Sequence, residues 1–218
     1  MAAPSVFEQL ESQGVLAVLV VDNAADAVPL AEALLAGGVS AMELTLRTAA
    51  ALDALKAIRR AVPEMLVGIG TLLIPEQVRQ VASEGAAFGV SPGFNRRVVE
   101  AAIESGLPFA PGIATPSDIE AALELGCRRL KFFPAEALGG LNYLRAMSPP
   151  YQHLGVKYLP LGGVGPKNLA EYISDPLIAA VGGSWLAPRD VIGAKDWQKI
   201  ELSAREARSI IDGARTGR

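Results

Sequence analysis

Val15-Leu16-Ala17-Val18-Leu19-Val20-Val21 is an unbroken apolar run of strand length, followed by a helical pattern over 24–36 and a stop at Gly37-Gly38. This strand-then-helix unit decides the fold because it recurs. Strand 40–46 precedes helix 49–61, strand 66–70 precedes helix 75–83, and strand 87–90 precedes helix 95–105. Strand 108–110 then precedes helix 116–125, strand 129–133 a helix near 141–147, and strand 156–161 helix 166–173. The last strand is expected at 178–181. Short apolar strands alternating with amphipathic helices build a parallel sheet. Glycine closes many of the helices (Gly37, Gly85, Gly106, Gly126) and proline opens others (Pro75, Pro116, Pro166), as helix ends require. Eight such units without a composition break fit a single (β/α)8 TIM barrel of the α/β class better than an open sheet. The expected domain spans 1–218, with a short N-terminal helix over 1–13, barrel motifs over about 15–190 and a C-terminal helix over 196–212.

Composition narrows the function. The chain has 218 residues, half of them apolar, a net charge of −3 and a pI near 5.3. Nothing here advertises nucleic acid or an anionic membrane. One histidine and one cysteine give no basis for a His/Cys metal site or an internal disulfide. No apolar run approaches the roughly 18 residues that span a bilayer, and no secretory leader pattern opens the chain. A soluble, cytoplasmic protein is expected.

In a barrel of this kind the active site lies at the C-terminal ends of the strands. Arg128-Arg129-Leu130-Lys131-Phe132-Phe133-Pro134-Ala135-Glu136 sets a lysine inside an apolar, aromatic strand. Burial disfavours an ammonium ion, and a neutral amine attacks carbonyl carbon. The alternative is a lysine that snorkels to water from a strand end. Strand two alternates, with Ala41, Glu43, Thr45 and Arg47 on one face and Met42, Leu44 and Leu46 on the other. The apolar face suits the helices, so Glu43 and Arg47 should point inward or to the mouth. Their structural alternative is a buried Glu43–Arg47 pair. Strand three ends at Gly68-Ile69-Gly70-Thr71, which leaves space and a hydroxyl near the axis. The turns Ser91-Pro92-Gly93-Phe94 and 111–116 carry backbone amides to the rim. Leu161-Gly162-Gly163-Val164-Gly165-Pro166 and Val181-Gly182-Gly183-Ser184-Trp185 follow strands seven and eight, where barrels hold a phosphate on backbone N–H groups. A lysine, a carboxylate, an arginine, a threonine and a phosphate cradle form the set that a Schiff-base enzyme needs.

The stretches Glu43-Leu44-Thr45-Leu46-Arg47-Thr48, Gly70-Thr71-Leu72, Ser91-Pro92-Gly93, Pro111-Gly112-Ile113-Ala114-Thr115, Lys131–Glu136, Gly162-Gly163-Val164 and Gly182-Gly183-Ser184-Trp185 occur in one order. In these the sequence resembles the 2-keto-3-deoxy-6-phosphogluconate (KDPG) aldolases and the related 4-hydroxy-2-oxoglutarate (KHG) aldolases. The resemblance implies a class I aldolase on a TIM barrel, a homotrimer with no cofactor and no metal, cleaving KDPG to pyruvate and glyceraldehyde 3-phosphate. It implies Lys131 as the Schiff-base lysine and Glu43 as the general acid/base. Arg47 and Thr71 would hold the pyruvate carboxylate, Pro92 and Phe133 would shape the pocket, and Gly162, Gly163 and Ser184 would take the phosphate.

Two positions depart from the family. Leu161 stands where threonine is common before the Gly-Gly pair, and Gly165 where serine or threonine is common. A lost hydroxyl bears on specificity, because sites built around such bonds discriminate strongly. A 4-hydroxy-2-oxo acid or the phosphogalactonate epimer is therefore an alternative substrate. An imine-free sugar-phosphate isomerase or epimerase, or a non-catalytic ligand-binding barrel, would explain the glycine turns but give Lys131 no covalent task. His153 reads as a surface residue, Cys127 as a core filler, and Trp185 as packing under the phosphate loop or facing a neighbouring subunit.

Overall fold

The computed structural model describes residues 4–216. Helix α1 (Val6–Gln13) opens it, capped by Ser5, whose hydroxyl accepts from the Glu8 N–H while the Glu8 carboxylate accepts from the Ser5 N–H. Such a box satisfies two amides that the first turn leaves orphaned. Strands and helices then alternate: β1 (Val15–Leu19), α2 (Ala27–Ala36), β2 (Ala41–Thr45), α3 (Ala51–Ala61), β3 (Leu66–Gly70), α4 (Pro75–Ser83), β4 (Phe88–Val90), α5 (Arg96–Glu104) and β5 (Phe109–Ala110). There follow β6 (Gly112–Ile113), α6 (Pro116–Glu124), β7 (Arg129–Phe132), α7 (Gly140–Met147), β8 (Lys157–Pro160) and α8 (Pro166–Ser174). The chain ends with β9 (Val181–Gly183), α9 (Arg189–Gly193) and α10 (Trp197–Thr216). Prolines 75, 116 and 166 each stand in the first helical turn, as expected.

Every ladder is parallel. Six strands pair in the order β5-β4-β3-β2-β1-β9, and three in the order β6-β7-β8. Single parallel bridges, Tyr158 to Ile178 and Leu161 to Gly182, connect β8 with the stretch around β9.

The strands bury both faces, and each face feeds its own core. Val15, Ala17 and Leu19 of β1 and Met42 and Leu44 of β2 pack towards the helices with Leu30 and Leu34 of α2. Leu16, Ala41, Phe88, Val90, Ala110 and Leu159 turn the other way, and Leu10 of α1 joins them. Two-residue periodicity makes this division. Each fully buried Leu or Phe contributes roughly 1.5–3 kcal/mol, so both cores bear on stability.

Three expected strands differ. The fifth does not stop at Ala110; it resumes at Gly112 beyond Pro111 and pairs with β7. Proline has no N–H to give, so the ladder breaks there, yet its carbonyl still accepts from the Lys131 N–H at 2.9 Å. The last strand is not 178–181 but Val181–Gly183, paired in register with Val15, Leu16 and Ala17. Its glycines belong to the strand, because a Cβ on Gly182 would lie 2.4 Å from Leu161 Cγ. The first strand also ends at Leu19, two residues short of the apolar run. At the stop after α2 the left-handed residue is Gly38 (φ 85°), not Gly37 (φ −84°). Short helix α9 was not expected.

Candidate active site

Lys131 sits on β7 between Leu130 and Phe132, which both face the helices, so its own side chain takes the opposite face. Only 5% of it is exposed, which rules out the snorkelling arrangement. Its Nζ donates to Glu43 Oε1 at 3.1 Å and Oε2 at 3.4 Å, and lies 5.5 Å from the centre of the Phe133 ring. Glu43, on β2, is 1% exposed. Burying two charges is tolerable only when each satisfies the other, and here they do. The partner of Glu43 is thus Lys131, and the structural Glu43–Arg47 pair does not form.

Room for the carboxylate comes from the neighbouring strand. A Cβ on Gly70 of β3 would stand 1.8 Å from Glu43 Oε1. Directly after Gly70, Thr71 adopts φ +64°, a left-handed conformation that a β-branched residue rarely enters. Such strain concentrates where surrounding structure holds a functional group in place. The connection after β2 is pinned by side chains: Thr45 Oγ1 donates to the Leu19 carbonyl at 2.9 Å and Thr48 Oγ1 to the Val21 carbonyl at 2.6 Å. Arg47 lies between these anchors, exposed, with no ion-pair partner among the described residues.

All nine candidate residues line one cavity of about 740 Å³ at the C-terminal ends of the strands. Lys131 and Glu43 form its floor, with Arg47, Thr71, Pro92 and Phe133 around them. Gly162, Gly163 and Ser184 line it too. Gly162 and Gly163 hold φ of +93° and +88°, so the turn after β8 has a shape that other residues would strain. Two of its carbonyls are engaged: Ala135 N–H donates to that of Leu161 at 2.8 Å and Glu136 N–H to that of Gly162 at 3.0 Å. Behind it the Tyr172 hydroxyl donates to Glu136, and burial, aided by that bond, pushes the phenol pKa up.

Both departures from the family can be located. Leu161 lines the cavity and packs on Gly182, so an apolar side chain stands where a hydroxyl is common. Gly165 is instead the residue before α8, and its N–H donates to the Asn168 side chain at 2.8 Å. Trp185 is half-buried, its ring covering Gly183 and lining the cavity. His153 is exposed in the turn before β8. Cys127 is half-buried in a smaller cleft near the start of β7, where burial pushes its thiol pKa up.

Sequence reasoning missed one charged lining residue, Arg189 at the start of α9. Its signal was an arginine directly after Pro188 in the last strand-to-helix connection.

The family model "KDPG and KHG aldolase" matches residues 6–203. The 2-dehydro-3-deoxy-phosphogluconate aldolase of Treponema pallidum (strain Nichols) is 44% identical over 207 residues, covering 95% of this chain and 98% of that one. The KHG/KDPG aldolase of Escherichia coli (strain K12) is 43% identical over 201 residues, 92% of each chain. Among solved structures, the KDPG aldolase of Legionella pneumophila, with pyruvate captured at low pH as a covalent carbinolamine intermediate, superposes with a TM-score of 0.87 at 39% identity. That match covers 93% of this chain and 96% of that one.

Proposed function

The chain belongs to the KDPG and KHG aldolase family, and we propose that it cleaves KDPG to pyruvate and glyceraldehyde 3-phosphate through an imine on Lys131. The observation that carries this reading is the buried amine of Lys131, 3.1 Å from the Glu43 carboxylate, in the cavity that Arg47 and Thr71 also line. Lys131 first passes its ammonium proton to the Glu43 carboxylate; the free amine then adds to the C2 carbonyl of the substrate, and Glu43 returns the proton that lets water leave the carbinolamine. The iminium so formed is an electron sink. The C3–C4 bond breaks, its electron pair passes into the enamine, and the C4 hydroxyl proton goes to the Glu43 carboxylate as the aldehyde departs. Glu43 then returns a proton to C3, and water hydrolyses the iminium to pyruvate and free lysine.

Arg47, whose side chain has no ion-pair partner among the described residues, is available to pair with the substrate carboxylate through parallel charge-assisted hydrogen bonds, and the Thr71 hydroxyl can add another. The turn at Gly162 and Gly163, with Ser184, suits the phosphate. The carbinolamine captured in the Legionella pneumophila enzyme supports the same covalent step in this chain.

A second reading rests on Leu161. Without a hydroxyl there, the same chemistry acts on 4-hydroxy-2-oxoglutarate or on the phosphogalactonate epimer. We also infer one domain whose eight strands close into a (β/α)8 barrel. Supporting this, β5 and β6 are one strand broken only at Pro111, and two bridges join β8 to the stretch around β9. A cytoplasmic homotrimer completes the proposal, and half-exposed Leu73 and Ile74 offer apolar surface for association.

The test is mass spectrometry after incubation with pyruvate and borohydride, alongside cleavage rates on the three substrates. One reduced pyruvyl adduct on Lys131 and the highest kcat/KM on KDPG are expected. A folded protein without an adduct would overturn the reading.

A further inference from the structure

We propose that Arg189 is a specificity-determining residue that binds the phosphate of the substrate, and that Asp22 holds it ready. The inference rests on the aldolase reading and adds a residue to it. Charge accounting in the cavity points there. The charged side chains that line it are Glu43, Arg47, Lys131 and Arg189. Glu43 and Lys131 neutralise each other. A phosphorylated 2-oxo acid brings two anions, a carboxylate at one end and a phosphate at the other. With Arg47 on the carboxylate, Arg189 is the remaining lining cation; Asp22, outside the lining, pairs with it from one side and leaves its other N–H groups for the second anion. The glycine turn carries no charged side chain, and a guanidinium matches phosphate with paired hydrogen bonds.

Position supports this. Arg189 belongs to the same connection as Ser184, and Trp185, Ala187 and Pro188 between them also line the cavity. Asp22, beyond the end of β1, grips the guanidinium from the side: Nε donates to Oδ2 at 2.7 Å and Nη2 to Oδ1 at 2.6 Å. Two of the five N–H groups are so used, and three stay available. Both side chains are more than half exposed, and an ion pair that exposed adds little to stability. Its value is orientation. The rival account is a staple between two surface connections with no part in binding.

Condensation of pyruvate with glyceraldehyde 3-phosphate or with unphosphorylated glyceraldehyde separates them, in wild type, Arg189→Gln and Arg189→Lys. Arg189→Gln should raise KM for glyceraldehyde 3-phosphate about tenfold, the scale of one charge-assisted contact at an open rim. Turnover at saturation and the rate on glyceraldehyde should each change less than about twofold by the same argument. Arg189→Lys should recover part of the affinity. Equal losses on both aldehydes would leave only the staple. A higher pyruvate concentration for half-maximal borohydride trapping would put Arg189 at the carboxylate end instead, and either result overturns the proposal. If wild type itself traps no pyruvate, the parent reading falls first, and that failure is visible separately.

Discussion

At the scale of single residues, the site depends on one buried pair of opposite charges, Lys131 and Glu43. Lys131→Ala should abolish cleavage and leave no pyruvyl adduct. Lys131→Arg should do the same, since a guanidinium stays charged and cannot form the imine. Detectable turnover in either variant would show that another amine is the nucleophile. Removing one partner of a buried pair also strands the other, at roughly 3–5 kcal/mol. Lys131→Ala should therefore melt well below wild type as well. Glu43→Gln keeps hydrogen-bonding capacity but cannot carry the proton. Its kcat should fall on the order of 10²–10⁴-fold, while borohydride still traps pyruvate on Lys131. Wild-type kcat in that variant would remove Glu43 from the mechanism. Both residues were legible in the sequence because each is a charge inside an apolar, alternating strand. Their partnership was not, because nothing local joins positions 88 residues apart. Arg189 was illegible for the opposite reason: an exposed arginine beside a proline looks like any other solvated charge.

Individual elements show how much glycine does by leaving space. A Cβ on Gly70 would overlap the end of the Glu43 side chain, whereas one on Gly68 would stand 2.3 Å from the Phe88 ring. A carboxylate can swing away, but Phe88 is fully buried and has nowhere to go. The two alanine variants should therefore fail differently. Gly70→Ala should fold yet lose about 10²-fold or more in kcat, since the displaced carboxylate no longer meets the lysine. Gly68→Ala should lose about 1–3 kcal/mol of stability through overpacking. Thermal melts together with kcat measure both, and equal effects on stability would contradict the geometry. The same feature limited the sequence reading. Gly182-Gly183 looked like a phosphate turn, but these residues lie in β9, where close approach of Leu161 to Gly182 and of the Trp185 ring to Gly183 excludes a side chain. Pro111 looked like the end of a strand, although it only interrupts the ladder. Regular elements such as β3 and α4 were readable to the residue, because apolar runs, proline starts and glycine stops agreed there.

For the whole molecule, the alternation of strand and helix was legible because it is a repeated local pattern, and parallel pairing follows from it. How the ends are tied was not. Helix α10 lies along α2 and α8, and its Arg208 donates to the Gln13 carbonyl at 2.7 Å while Arg215 donates to those of Ser12 and Glu11. These bonds fasten the last helix to the first, and no sequence period announces them. The helix-facing core also contains a titratable group with a global consequence. Tyr158 of β8 is 1% exposed, and its hydroxyl has no hydrogen-bond partner among the described residues. Burial there pushes its pKa from 10 up to about 12. The fold thus favours the protonated phenol. That contribution is complete below pH 10 and is lost as pH rises towards 12, at up to about 1.4 kcal/mol per pH unit. Tyr158→Phe removes both the titration and an unpaired buried hydroxyl. At pH 7 it should melt within about 2 °C of wild type or higher. Between pH 10 and 12 its stability, measured by urea unfolding, should fall less steeply than that of wild type. Parallel curves would mean that the Tyr158 hydroxyl reaches water in the folded state, and that the core behind β8 is looser than its packing indicates.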